Sequence, residues 1–130
     1  MFNEILLYIG ASIITLWGIA HIMPTKPIVK GFGELSEDNK RIITMEWIAE
    51  GLAFIFIGVL VILVTTFGGI TGIVPIIVYL SSAAMLLIMS VLSLFTGART
   101  SIIPMKICPV IKTIVALLFI IASTVSVFPL

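Results

Sequence analysis

Along the chain, apolar residues gather into four long blocks, and the short stretches between them hold nearly all the charge. The blocks run from Ile5 to Met23, Ile48 to Phe67, Val74 to Phe95 and Pro109 to Phe128. Each is close to the roughly 20 residues that an α-helix needs to cross a hydrocarbon core. Lipid offers backbone N–H and C=O groups no partners, so a spanning segment is either a helix or a strand of a closed barrel. Runs this continuous lack the alternation of barrel strands. The pattern therefore predicts an all-α, polytopic integral membrane four-helix bundle, a single domain over residues 1–130.

Local signals sharpen the boundaries. Pro75 and Pro109 sit where the first turn of a helix tolerates a missing N–H, and Ser36 followed by Glu37 and Asp38 reads as an N-cap with acids on the positive end of the helix dipole. The second helix then spans 37–67, about 46 Å at 1.5 Å per residue against a hydrocarbon core of about 30 Å. Its first turns stand in or beyond the headgroups, or it bends near Gly51. Glu4 and no basic residue precede the first block, and no small-x-small site follows it, so it reads as a retained helix rather than a secretory leader. The connection PTKPIVKGFGEL reads as an interfacial loop that could cover the mouth of the bundle. Small residues recur at helical spacing and mark packing seams: Ala11, Thr15 and Gly18, then Gly51 and Gly58, then Ala83, Ser90 and Gly97, then Thr113, Ala116 and Ser123.

Composition agrees: 61% of residues are hydrophobic and only 10% charged, against roughly 25% charged in soluble domains. The seven basic residues form no run and are not interleaved with aromatics, which argues against nucleic acid as a partner. One cysteine allows no internal disulfide. Lys26, Lys30, Lys40 and Arg41 lie between the first two helices, and Arg99, Lys106 and Lys112 lie between the last two or just inside the fourth. By the positive-inside rule both charged loops are cytoplasmic and both termini lie on the outer side.

That topology gathers the candidate chemistry at one end. The stretch EWIAEGLAFIFIG sets Glu46 and Glu50 on one helix face by their i, i+4 spacing, and Trp17 and His21 share a face of the first helix by the same arithmetic. Trp47 is placed to anchor at headgroup level, which puts Glu50 about one turn deeper, where a carboxylate needs a partner, a proton or water. His21 and Arg99 are the expected partners. A Glu and His pair in a dry pocket can move a proton or polarise a ligand carbonyl; the alternative is that His21, Glu50 and Arg99 satisfy one another and pin helix ends together. A metal set would require His21, Glu46 and Glu50 together, and no metal is assigned. Cys108 reads as a small apolar filler. GIAHIMPTK and GARTSIIPMK echo each other at the ends of the first and third helices and place His21 and Arg99 in matching positions.

A first helix with Gly18 and His21 that ends in Pro24, followed by AEGLAFIFIGVL with Glu50, Gly51 and Gly58, resembles the DoxX-like group of small four-helix membrane proteins. The resemblance covers mainly Gly18 to Leu60. It implies a four-helix bundle and, for some relatives, service as a membrane subunit of quinone-linked sulfur oxidoreductases. The expected setting is a prokaryotic plasma membrane, with the lipid bilayer, a lipophilic small molecule, and a membrane complex subunit or second copy as partners. No cofactor motif is present, so a quinone is the one cofactor considered. Three functions follow as expectations. The leading one is binding of a lipid- or quinone-like amphiphile, or of a partner subunit, by Glu50, Glu46, His21, Arg99 and Trp17. The others are a membrane enzyme using Glu50 and His21 for proton transfer, and a proton-coupled transporter, for which these groups lie far from mid-membrane.

Overall fold

The computed structural model describes residues 1–127; Phe128, the expected end of the fourth helix, and the tail Pro129-Leu130 lie outside the described residues. The elements are α1 (Phe2–Ile22), α2 (Thr25–Gly31), α3 (Glu37–Leu63), α4 (Ile73–Phe95) and α5 (Ile103–Val127). A π-helical turn, Val64–Gly68, prolongs α3, and a 3₁₀ turn, Gly97–Arg99, follows α4. The four helices other than α2 are long and apolar enough to cross a membrane. No strand occurs among the described residues.

Helix ends follow the local chemistry. Ser36 caps α3 by accepting a hydrogen bond from the Asn39 N–H at 3.2 Å. With its π turn, α3 runs 32 residues, about 48 Å, so its first turns project past a hydrocarbon core of about 30 Å. Pro75 lies in the first turn of α4 as expected. Pro109 does not open its helix. The helix starts at Ile103, and Pro104 takes the first-turn role, which leaves Pro109 in the interior. An interior proline removes the N–H that would reach the Met105 carbonyl and crowds that carbonyl. The Pro109 carbonyl, in turn, accepts from Ser90 Oγ at 2.9 Å and Thr113 Oγ1 at 2.8 Å, which ties this turn to α4. The first connection also differs from expectation: Thr25–Gly31 is a helix, packed on α3.

Neighbours in sequence are not all neighbours in space. The pairs α1–α3, α4–α5 and α1–α5 pack extensively, whereas α3 and α4, joined by a short turn, scarcely touch. Glycine explains the closeness of α1 and α3. A β-carbon added to Gly18 would lie 2.6 Å from the Gly51 carbonyl oxygen, and one on Gly58 would lie 2.6 Å from the Ala11 carbonyl oxygen. The two backbones come this close because the glycines carry no side chains, and Thr15, Ile22 and Ile55 fill the space beside them, as small-residue membrane seams allow. The α4–α5 seam uses hydroxyls instead, with Ser90 and Thr113 hydrogen-bonded at 2.8 Å.

Between the seams lies a core of Leu7, Ile14, Phe54, Tyr79, Leu86 and Phe119. Outside it, Leu16, Leu52, Phe56, Ile88 and Leu92 are exposed, an apolar girdle that only lipid would cover without cost. Trp17 lies beside Cys108, and Gly10 lies beside Phe119, so α1 and α5 are antiparallel and the start of α1 shares an end of the bundle with the last turns of α5. At that end Tyr79 ties α4 to the α3–α4 turn, bonding the Thr65 hydroxyl at 3.0 Å and donating to the Gly69 carbonyl at 3.1 Å.

The backbone contact at Gly18 leaves no room for a methyl group. Gly18→Ala is expected to lower stability by about 1–3 kcal/mol, whereas Gly31→Ala, with open space around it, should leave it unchanged; thermal unfolding in detergent distinguishes them.

Candidate functional site

The polar chemistry of the bundle centres on a cation. Lys112 is 0% exposed. Its ammonium donates to Glu50 Oε1 at 2.7 Å and to Ser93 Oγ at 2.6 Å, with the Met89 carbonyl at 3.5 Å. It also sits 4.9 Å from the centre of the Phe54 ring, within cation–π range. Three helices thus contribute to one charge: Glu50 and Phe54 from α3, Met89 and Ser93 from α4, and Lys112 from α5. Because α3 and α4 otherwise scarcely touch, the lysine bridges them at this level.

His21 approaches the same carboxylate from α1. Its Nε2 lies 3.5 Å from Glu50 Oε2 and is buried without a hydrogen-bond partner. The imidazole is stacked on Trp47, with ring centres 4.1 Å apart and planes inclined by 12°, and meets Phe54 edge-on at 5.8 Å. Trp47 Nε1 donates to the His21 backbone carbonyl at 2.7 Å, which fixes both rings relative to α1. The order of groups is therefore His21, Glu50, Lys112, across α1, α3 and α5.

Beside this row lies a cavity of about 310 Å³. Trp17, Ala20 and His21 of α1, Trp47 of α3, and Pro104, Met105 and Cys108 of α5 form much of its wall, to which Pro24 and Ile28 at α2 add a corner. The Trp17 indole N–H points at Cys108 Sγ, 3.4 Å away. The lining is almost wholly apolar, with His21 the one ionisable nitrogen-bearing ring in it. Its volume is at the lower end of ligand pockets, about 300–1,000 Å³, enough for a ring-sized head but not for a whole lipid.

Of the residues expected at this site, the structure brings together His21, Glu50 and Trp17. It does not bring Arg99, which ends the 3₁₀ turn after α4, exposed, its guanidinium 5.4 Å above the Phe95 ring. That turn carries Arg99 beyond the bundle end, so the side chain reaches the interface rather than the interior. Glu46 is exposed too: at its level α3 turns Trp47 toward His21 and Thr44 toward α2, and the Glu46 side of the helix is left open. Among the described residues His21, Glu46 and Glu50 therefore form no metal-sized cluster. The echoed segments do meet, since Pro24 and Pro104 both line the cavity, but His21 and Arg99 do not converge.

Lys112 is the group that sequence reasoning missed as the partner of Glu50. With Pro109 as a helix start, Lys112 falls in a first turn at the cytoplasmic boundary. The signal was present in the spacing. Cys108, Lys112, Val115, Ala116, Phe119 and Ser123 follow the i, i+3, i+4 rule and are all buried, so the lysine lies on the packed face of α5.

Comparison with known protein families, curated proteins and solved structures finds no match to this chain. The chemistry of the site has to come from its own residues: a stacking enclosure, one imidazole, and an ion pair behind it.

Removing one member of a buried pair strands the other. Glu50→Gln is expected to cost about 3 kcal/mol of stability. Lys112→Met should cost less, because the Glu50 side chain is 29% exposed and retains water whereas Lys112 has none. The double variant should recover most of the loss, and a double-mutant cycle of thermal unfolding in detergent measures the coupling.

Proposed function

We propose that this integral membrane protein binds the ring-shaped polar head of a lipid-soluble amphiphile, quinone-like in size and polarity, in the cavity between Trp17 and Trp47. The observation that carries the reading is an aromatic enclosure with one imidazole in its wall, that of His21, whose Nε2 is buried beside Glu50 without a hydrogen bond. A flat ring stacks favourably on indole, and an apolar wall with one polar group is the usual construction of a small-molecule site. His21 is the group available to hydrogen-bond a carbonyl or hydroxyl of the head. Glu50 and Lys112 are positioning residues, since the lysine holds the carboxylate and the carboxylate faces His21 Nε2.

Binding is favoured over catalysis because Glu50, the carboxylate expected to exchange a proton with substrate, is already engaged by Lys112 at 2.7 Å. The resemblance of Gly18 to Leu60 to DoxX-like proteins, some of which serve quinone-linked enzymes, agrees with a ligand of this class and with service as a subunit of a membrane complex. Lys26, Lys30, Lys40, Arg41, Arg99 and Lys106 are exposed around the same end of the bundle. By the positive-inside rule that end faces the cytoplasm, so the cavity lies in the inner leaflet and the helix ends opposite point outward.

The chain's two tryptophans both line the cavity, which supplies a direct readout. Titration of the purified protein with a short-chain quinone should quench intrinsic fluorescence saturably. Ala20→Phe, which fills the cavity, should abolish saturation without lowering the melting temperature. Linear quenching that is identical in both proteins would sink the proposal.

A further inference from the structure

A second cavity, of about 440 Å³, lies on the other side of α2, and three lysines and two threonines stand in its wall beside apolar surface. Lys26 and Lys30, one turn apart on α2, face Lys40 and Thr44, one turn apart on α3, with Gly33 closing the connection between them. Gly33 has φ of +79°, a left-handed conformation that folds the chain back and brings the two basic faces together. Of the three ammonium groups, Lys40 is paired with Glu37 at 3.0 Å. Lys26 and Lys30 have no carboxylate partner among the described residues, and the other acids of the connection, Glu34 and Asp38, are exposed and outside the lining. The hydroxyls of Thr25 and Thr44 donate to the Ile22 and Lys40 carbonyls, so the lysines are the donors left to a ligand.

Depth sets what can reach them. Lys40 lies two turns before Trp47 on α3, about 10 Å along the axis, and the hydrocarbon begins near the level of that indole. The cleft therefore opens in the headgroup layer, beside the bundle rather than within it. A concave site with surplus positive charge at that depth is built for phosphate.

From this arrangement we infer that the cleft between α2 and α3 binds the phosphate of an anionic phospholipid headgroup, through Lys26 and Lys30 with Lys40 opposite. The site is separate from the aromatic cavity and takes a different ligand. Anchoring a lipid there would pin α2, whose Pro24 and Ile28 end forms part of the other cavity's wall.

Native mass spectrometry of the detergent-extracted full chain tests this, with phosphatidylglycerol, phosphatidylcholine or inorganic phosphate added at equal concentration. The wild-type chain should retain phosphatidylglycerol over phosphatidylcholine. A Lys26→Gln/Lys30→Gln variant should lose that retention by roughly 25-fold, from about fivefold per lysine near an anionic surface. An Arg99→Gln/Lys106→Gln variant removes the same charge at the same end and should keep it. Displacement of the lipid by inorganic phosphate, with the same dependence on Lys26 and Lys30, would uphold the phosphate site and assign it a soluble source. Equal retention of both lipids, unchanged phosphatidylglycerol binding in the Lys26/Lys30 variant, or an equal loss in the control variant overturns the inference.

Discussion

A lysine with no exposed surface governs the polar half of this protein. An unpaired ammonium in so apolar an interior costs several kcal/mol even after relaxation. Glu50, Ser93, the Met89 carbonyl and the Phe54 ring are arranged so that Lys112 avoids that cost. The requirement reaches further than the pair. α4 must present its last turn to α5, α3 must bring Glu50 inward, and α1 must end with His21 against the same carboxylate. The ion pair is therefore the point at which helices joined by quite different seams are held in common register.

Those seams divide the labour along the bundle. Between α1 and α3 the backbones meet through Gly18, Gly51 and Gly58, and between α4 and α5 hydroxyls meet across Ser90 and Thr113. At the end away from the basic loops, Tyr79 performs a neutral version of the task of Lys112, linking α4 to the α3–α4 turn by hydrogen bonds. Polar contacts at the two ends and close packing between them hold a bundle whose outer surface is left to lipid.

Much of this was legible from the sequence, and the physical reasons for the rest are specific. Four helices, their small-residue seams, the Ser36 cap and the proximity of His21 to Glu50 follow from hydropathy, side-chain size and helical periodicity, which are local. Pro109 misled because the local rule is ambiguous between a helix start and an interior kink; Pro104, five residues earlier, satisfies the same rule, and only the tertiary support of the Pro109 carbonyl decides between them. That ambiguity hid Lys112. Hydropathy sets Arg99 too deep because the turn that ends α4 leaves no trace in it. The helical character of Thr25–Gly31 was concealed by prolines that stand before its first turn and within it, where they do no harm.

The glycine seam has a mechanical corollary. Where two helices lie this close, sliding one along the other would drive the Thr15, Ile22 and Ile55 side chains into the facing backbone, so the seam opposes slippage of α1 against α3. Trp17 stands on one of these helices and Trp47 on the other, so the seam sets the spacing of the backbones that carry them. Any widening of the space they enclose must come from the opposite bank, the Pro24 to Ile28 corner and the first two turns of α5, so those turns form the door and the indoles its frame.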